Sequence, residues 1–386
     1  MDFEFTPEQI AFRQEVTQFI LENLPVNWEV LQNELENPEA SRIVRDFYKK
    51  LAEKGWLSWG LPTRYGGKEA DLLTQMIFEE VSSYFGVLSL DNAMRIVGPL
   101  LVAQGNEHQM HNWLGGIAKG QWLWSSMTIE SGITSDVMSV RSRISKQEDE
   151  FVINGSRIIK KSDAATDFVM LITEIGNHSE SSDGWNLFFV DMKSSGIEVN
   201  EGSSIYGTEW GLISFVNVRV PKENLIGEEG RGLAILGSYL RKERFPIRMA
   251  ATAQSLLDTM VSAHQKITDM HTNLATQDLL AQMSADIEVL RMLAYGDVGE
   301  HTILLDWSTN IAIAKLFGDK VLQKVVLAAM DMVRVYPELK SDKEWESFRS
   351  QIIRNYWIVF SGGGPMGGSE VHRHIIAHRG LGLPTQ

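Results

Sequence analysis

A polar turn between residues 127 and 136 carries the densest set of groups that could contact a ligand. It contains the sequence Met127-Thr128-Ile129-Glu130-Ser131-Gly132-Ile133-Thr134-Ser135-Asp136. Its hydroxyls and backbone N–H groups can bind a ligand if a rigid sheet holds the turn in place. The alternative is an Asx or Ser turn that only joins two strands, and the residue types alone favour that simpler interpretation.

Glu243 is a candidate general base, because a carboxylate held beside a weakly acidic C–H group can remove its proton. It stands among basic residues in the segment Arg241-Lys242-Glu243-Arg244. The alternative is a solvated glutamate, which residue statistics favour because glutamate is seldom buried. Pro246 should disturb the helix at this point and could turn Glu243 inward.

A glycine-rich run at residues 362–368 precedes a predicted terminal helix. Free N–H groups at a helix start can hold a phosphate, but a tight loop that needs positive φ explains the glycines equally well. Glu370, His374 and His378 follow at spacings of four and share a helical face. The flanking ligands of a metal signature are missing, so we predict no metal site.

Composition limits the classes of function. With 386 residues, the chain is long enough for two or three domains. The 50 acidic residues outnumber the 36 basic ones, which disfavours binding to nucleic acid or to an anionic membrane surface. The absence of cysteine excludes disulfides, thiol nucleophiles and thiolate metal sites. The chain has neither a leader-like start nor an apolar run of spanning length, which predicts no membrane span and a cytoplasmic protein.

The hydrophobic periodicity changes twice along the chain, which predicts three consecutive domains. Residues 1–120 follow the helical period of 3.6, residues 121–228 form short apolar or alternating runs typical of strands, and residues 229–386 return to long helical runs. The predicted late helices cover 233–267, 277–300, 307–333 and 343–360, with Ser341 and Glu344 as a capping box for the last. The order predicts a mostly α protein with a central β domain.

Several separated stretches resemble the acyl-CoA dehydrogenase family, and together they cover the chain from end to end. They are Met1-Asp2-Phe3, Thr6-Pro7-Glu8-Gln9, Leu51–Trp56, Tyr65-Gly66-Gly67, Glu130–Asp136, Ile153-Asn154-Gly155, Phe189–Met192, Val218–Gly227 and Ile375–Pro384. The resemblance implies an N-terminal helical bundle, a middle β-barrel-like domain and a C-terminal four-helix bundle. It implies assembly as a homodimer or tetramer, or as a heterotetramer with a homologous subunit.

The resemblance also implies FAD and an acyl-CoA thioester as ligands, and an electron acceptor flavoprotein as partner. In the family's reaction a carboxylate removes an α-proton while the β-hydrogen leaves as hydride to the flavin, which gives an enoyl-CoA. Glu243 matches the base of one branch of the family. The other branch's glutamate falls on Met366, which cannot accept a proton.

The remaining family positions carry over one by one. Ser135 and Asp136 match residues near the pantetheine arm, and Arg244 is assigned to the substrate. The matched cofactor-binding positions are Thr128, Ile129, Glu130, Ile159, Lys161, Gly367 and Gly368.

The chain departs from the family at its flavin contacts. Ile129 stands where the family has a threonine, and Ile159-Lys160-Lys161 stands where it has Trp-Ile-Thr. Residues 262–277 lack the family's Arg-x-x-Phe-Gly element. Three hypotheses follow: an FAD-dependent acyl-CoA dehydrogenase that uses Glu243, a non-flavin homologue that acts as a structural or regulatory partner subunit, and a CoA-thioester-binding protein with a non-redox role.

Overall fold

The computed structural model describes residues 5–25, 28–31, 37–87, 92–127, 142–160, 165–175, 184–201, 210–243, 246–267, 273–296, 307–360 and 368–384. The α-helices within this part are α1 (Pro7–Asn23), α2 (Trp28–Leu31), α3 (Pro38–Glu53), α4 (Leu72–Tyr84), α5 (Gly98–Gln104), α6 (Glu107–Ala118), α7 (Gly232–Glu243), α8 (Ile247–Lys266), α9 (Leu274–Gly296), α10 (Trp307–Val335), α11 (Pro337–Ser341), α12 (Glu346–Phe360) and α13 (Ser369–Ile375). The strands are β1 (Trp124–Met127), β2 (Arg143–Gln147), β3 (Glu150–Lys160), β4 (Phe168–Ile175), β5 (Trp185–Asp191), β6 (Ile197–Glu201) and β7 (Trp210–Pro221). Two π-helices, Ala93–Val97 and Ile376–Gly380, precede α5 and follow α13.

The chain forms two compact units, each built from separated segments. The helical unit comprises Met1–Glu22, Leu72–Leu88 and Arg244–Gln386, and the sheet-containing unit comprises Asn23–Asp71 and Ser89–Glu243. This mostly helical architecture with a central curled sheet confirms the predicted fold class. The division into consecutive domains after residues 120 and 228 stays a prediction.

The sheet has an unusual branch at β4. The order within the described residues is β1-β4-β2-β3-β7-β6, and β5 pairs with β4 as well. Residues 168–174 of β4 pair with antiparallel β5 along one edge. The other edge is shared, because 168–171 pair with β1 and 174–175 pair with β2, both parallel. The chain therefore leaves the sheet at the end of β1 and re-enters it at the start of β2, and both points lie beside the same edge of β4.

Apolar side chains cover both faces of this sheet, as the nearly continuous burial of β5 requires. One face, together with α5, α6 and α7, forms a cluster that includes Trp124, Met170, Trp185, Phe189 and Leu236. The other face forms a second cluster inside the curled sheet that includes Phe151, Ile159, Val169, Phe188 and Phe215. The short apolar runs at 151–155, 168–173, 187–191 and 213–220 all form strands of this sheet.

The core of the helical unit lies between α8, α9 and α10. Ile247, Leu257, Met283, Ile287 and Val325 belong to its apolar cluster and are almost fully buried. Gly318 of α10 allows a close helix crossing, because a Cβ there would lie 3.0 Å from Met249 Sδ. Among the described residues, no helix is both long and apolar enough to cross a bilayer.

A buried carboxylate, Glu80 of α4, joins three helices of this unit. Arg13 of α1 donates to it, Arg291 Nε of α9 lies 2.8 Å from Oε1, and the Tyr295 hydroxyl donates to Oε2 over 2.5 Å. Burial of the phenol raises the pKa of Tyr295, and Glu80 raises it further. Burial alone would lower the pKa of Arg13, but Glu80 outweighs burial and the pKa is raised.

Two local predictions are wrong. The helix predicted over 233–267 is two helices, since α7 ends at Glu243 and α8 begins after Pro246, which cannot donate a backbone hydrogen bond. Ser341 does not cap α12. It ends the short helix α11, which Pro337 starts, and its hydroxyl donates to the Pro337 carbonyl over 3.0 Å.

Candidate active site

The helix that carries Glu243 is fixed to the sheet at its first turn. Asn186 of β5 accepts a hydrogen bond from the Gly230 amide over 2.9 Å, and Gly232 lies directly against the Asn186 backbone. Leu236 packs into the cluster on that face of the sheet. Glu243 is the last of the 12 residues of α7, about 16 Å along the helix axis from the fixed end. Arg244 lies outside the described residues.

The predicted ligand-binding turn begins directly after β1. Thr128, Ile129, Glu130, Ser135 and Asp136 lie outside the described residues, but both ends of the segment are placed. β1 ends at Met127 opposite Leu171. β2 begins at Arg143 opposite Glu174. These anchor points are three residues apart on β4, which corresponds to about 10 Å.

A π-helix, Ala93–Val97, lies beside both of these elements. It packs on α7 and on β1. The backbone amide of Asn92, just before it, donates to the Trp124 carbonyl over 3.3 Å, and Asn92 Nδ2 donates to Ser126 Oγ over 3.4 Å. The elements that bear Glu243 and the predicted turn are therefore joined to one short helix.

Arg95, in the middle of this π-helix, is half-buried. Its Nη2 donates to Asn92 Oδ1 over 3.1 Å. Its Nε and Nη1 atoms are buried, and no acceptor in the described part of the chain reaches them. The sequence interpretation did not single out Arg95. The available signal was one cation inside the apolar run from Ala93 to Ala103.

Ile159, a predicted cofactor residue, lies near the end of β3 and is 2% exposed. It pairs with Gly211 of β7 and packs in the cluster inside the curled sheet. Its aliphatic side chain can offer a ligand only an apolar contact. Lys161, which follows β3, lies outside the described residues.

The glycine-rich run ends at the start of α13, in the helical unit. Gly368 precedes the helix, whereas Gly367 lies outside the described residues. Ser369 Oγ lies 3.3 Å from Asp319 Oδ2, which also pairs with the buried Lys315 Nζ at 2.7 Å. These bonds fasten the start of α13 to α10.

The histidines of the terminal helix contact each other. His378 Nε2 lies 3.1 Å from His374 Nδ1, and His378 Nδ1 donates to the Leu383 carbonyl over 2.7 Å. Glu370 Oε1 instead lies 3.8 Å from Arg373 Nη1. Within the described residues, no group of three or more His, Asp or Glu side chains could hold a metal ion.

Comparison with known proteins gives consistent matches over almost the whole chain. The model "Acyl-CoA dehydrogenase, N-terminal domain" matches residues 6–121, and "Acyl-CoA dehydrogenase, C-terminal domain" matches residues 230–381. The acyl-CoA dehydrogenase FadE26 of Mycobacterium tuberculosis is 24% identical over 398 residues and covers 100% of this chain and 99% of the relative. A glutaryl-CoA dehydrogenase of Desulfococcus multivorans is 24% identical and covers 87% of this chain and 89% of the relative.

Solved structures show the same fold. The Tcur3481-Tcur3483 steroid ACAD superposes with a TM-score of 0.85 at 23% identity, over 100% of both chains. The ChsE4-ChsE5 complex from Mycobacterium tuberculosis gives a TM-score of 0.85 at 22% identity, also over 100% of both chains.

Proposed function

The chain belongs to the acyl-CoA dehydrogenase family of oxidoreductases, and on that premise we propose that it dehydrogenates an acyl-CoA thioester between the α and β carbons with Glu243 as the base. The observation that carries the proposal is the position of α7. Its first turn is fixed on β5, and its body packs on the π-helix that Asn92 joins to β1. Glu243 and the predicted thioester-binding turn thus extend from two elements held by the same short helix.

The proposed chemistry needs a base and a bound, oriented thioester. The α-proton of a thioester is a weak acid, so the site must polarise the carbonyl and exclude water while Glu243 takes the proton. We assign Ser135 and Asp136 to the pantetheine arm and Arg244 to the substrate. Such a base contributes about 10²- to 10⁴-fold to the rate.

FAD is the cofactor that members of this family generally use, and we propose it for this chain. The residue types assigned to it include donors for carbonyl and phosphate oxygens, namely the Thr128 hydroxyl, the Lys161 ammonium, and the backbone N–H groups of Gly367 and Gly368. Ile129, Glu130 and Ile159 complete the proposed site, and the burial of Ile159 restricts its part to apolar packing. When bound, FAD supplies the acceptor for the hydride from the β-carbon.

The visible spectrum of the purified protein tests this function. We expect flavin absorption that bleaches with an acyl-CoA, and we expect Glu243→Gln to retain the flavin while bleaching at least about 100-fold more slowly. Glu228→Gln, an exposed change of the same charge in the same unit, serves as the control and should bleach normally. A colourless protein that takes up no added FAD would contradict the flavin assignment and favour the non-flavin partner subunit. A Glu243→Gln variant that bleaches at the wild-type rate would contradict the base.

We further propose that the protein acts as an oligomer, either with copies of itself or with a homologous subunit. Exposed apolar side chains on three helices of the helical unit support this: Val289 and Met292 of α9, Leu327 of α10, and Ile353 and Phe360 of α12. Met292→Lys should lower the mass measured by light scattering, whereas Ser284→Lys on an exposed position of α9 should not. An unchanged mass in both variants would contradict a role for this surface. An electron acceptor flavoprotein would be the partner that reoxidises the cofactor.

A further inference from the structure

Arg157 of β3 is a cation buried inside the curled sheet. Its side chain is 0% exposed, and it lies opposite Ile213 of β7, which belongs to the apolar cluster on that face. Directly opposed residues of neighbouring strands point to the same face of a sheet, so the guanidinium lies on the inner face. Taking a charged group out of water is unfavourable unless hydrogen bonds replace the lost solvent. The guanidinium must therefore donate hydrogen bonds to the surrounding chain.

The hydrogen bonds of Arg157 join β3 to β4 and to the start of β2. Nη2 donates to the Ile172 carbonyl of β4 over 2.6 Å. Ile172 follows the residues of β4 that pair with β1 and precedes those that pair with β2. Nη1 donates to the hydroxyl of Ser142, directly before β2, and to the Ser156 carbonyl over 2.9 Å. The guanidinium thus lies at the branch of the sheet.

Ser142 is also held by the backbone of β3 at Gly155. A Cβ on Gly155 would lie 2.1 Å from Ser142 Oγ and 2.9 Å from Ser142 Cα. Cβ atoms do not come so close to backbone atoms, so this approach requires glycine. The bond from the Arg157 guanidinium is charge-assisted, which makes it stronger than a bond between neutral groups. Ser142, which is 2% exposed, is therefore fixed by two neighbouring residues of one strand.

This arrangement also fixes the two ends of the predicted ligand-binding segment relative to each other. Met127, at the end of β1, pairs with Leu171, the neighbour of Ile172. Ser142 is the first described residue after that segment. Because Arg157 bonds to Ser142 and to Ile172 at once, it sets the position of the returning chain on the strand that also holds Met127.

We propose that Arg157 is a positioning residue that fixes the geometry of the thioester-binding segment, residues 128–141. The inference rests on the proposed function, because that function assigns Ser135 and Asp136 of this segment to the pantetheine arm. Arg157 acts through the backbone that it holds and not by touching the thioester. Its bonds align the two ends of the segment before the ligand binds, so less of the binding free energy is lost in ordering the segment.

The affinity for acyl-CoA, measured without turnover, separates positioning from support of the fold. Calorimetry would titrate acetyl-CoA and octanoyl-CoA into proteins that carry Glu243→Gln, which removes the proposed base. The test variants are Arg157→Met, Arg157→Lys and Ser142→Ala. The controls are Arg143→Met and Ser145→Ala, which change exposed residues of β2. Urea unfolding of each variant measures its stability separately.

Arg157→Met and Ser142→Ala should each raise the dissociation constant about tenfold, because the loss of a hydrogen bond to a charged group corresponds to a factor of that size. The double variant should bind no more weakly than Arg157→Met, since both changes remove the same contact. Arg157→Lys should recover part of the affinity, because it keeps the charge but lacks the fork that reaches Ser142 and Ile172 together. Both controls should bind as tightly as the parent protein.

Two results would overturn the proposal. A purely structural role would lower the urea midpoint and the number of binding sites, while the folded molecules of Arg157→Met and Ser142→Ala kept the parent dissociation constant. That result would leave acyl-CoA binding itself intact. If the parent protein binds neither ester, the proposed function fails and the role of Arg157 fails with it. Should Arg157→Met not fold, Ser142→Ala, which removes a single hydroxyl, decides between these outcomes.

Discussion

Two glycines of α7 offer a matched test of how the helix that carries Glu243 is fixed. A Cβ on Gly232 would lie 2.7 Å from the carbonyl carbon of Asn186 and 2.8 Å from both its Cα and its amide nitrogen. All three are backbone atoms of a buried strand, which cannot rotate away. A Cβ on Gly237, five residues further along, would meet no heavy atom within 4 Å.

The two substitutions should change the free energy of unfolding in opposite directions. In Gly232→Ala the contact must open to at least the 3.4 Å of an ordinary van der Waals contact, so the start of α7 must retreat by roughly 0.7 Å, and overpacking of this kind costs about 1–3 kcal/mol. Gly237→Ala should stabilise by about 0.5–1 kcal/mol, because alanine restricts the unfolded chain and favours the helix.

Urea unfolding of both variants measures these changes through the midpoint and slope. If Glu243 is the base, Gly232→Ala should also slow flavin bleaching by up to about 100-fold, because a displacement near 1 Å at the reacting groups has an effect of that size. Gly237→Ala should leave the rate unchanged. A Gly232→Ala protein as stable and active as wild type would refute the close approach of α7 and β5 as the device that positions Glu243.

Two further predictions concern the helical unit. Glu80→Gln should lower the free energy of unfolding by about 3 kcal/mol, because Arg13 and Arg291 lose a buried carboxylate. The control Glu288→Gln removes an exposed partner of Arg291 and should change the urea midpoint little. Equal effects of the two variants would contradict a buried network around Glu80. Burial and the hydrogen bond to Asp258 raise the pKa of Tyr84 from 10.0 to about 12. The stabilisation from the protonated Tyr84 hydroxyl is therefore complete below pH 10 and is lost as the pH rises to about 12. Between these pH values, urea titrations should show a smaller loss of stability for Tyr84→Phe than for wild type. Parallel curves of stability against pH would contradict the raised pKa of Tyr84.

The helices could be predicted from the sequence because their signals are local. Thr6 and Gln9, for example, lie three residues apart and form a reciprocal cap, with the Thr6 amide donating to Gln9 Oε1 over 2.9 Å. Pro246 indicated a disturbance between α7 and α8, although a single helix was predicted over 233–267. The pairing of β1 and β2 with one edge of β4 depends on residues more than 25 positions apart, and hydrophobic alternation carries no information on such partners.

The candidate site was predictable in part for the same reason. The residue types of Glu243 and of the turn at 128–136 suggested chemistry, and the resemblance assigned their roles. Which donors of Arg95 find acceptors is decided only on folding, so its bond to Asn92 could not be predicted from the sequence. A cation in an apolar run is visible in the sequence, but the sequence does not identify its hydrogen-bond partners.

The shared edge of β4 fixes the positions of the two strands that flank the predicted ligand-binding turn. The strands on either side of residues 128–141 pair with the same strand, with Met127 opposite Leu171 and Arg143 opposite Glu174. Because the entropic cost of closing a loop rises only slowly with its length, the two anchor points on β4 set no strict limit on the number of residues between them. If this segment binds the thioester as proposed, exchanging it would change the substrate preference while the pairing of β1 and β2 with β4 stays the same.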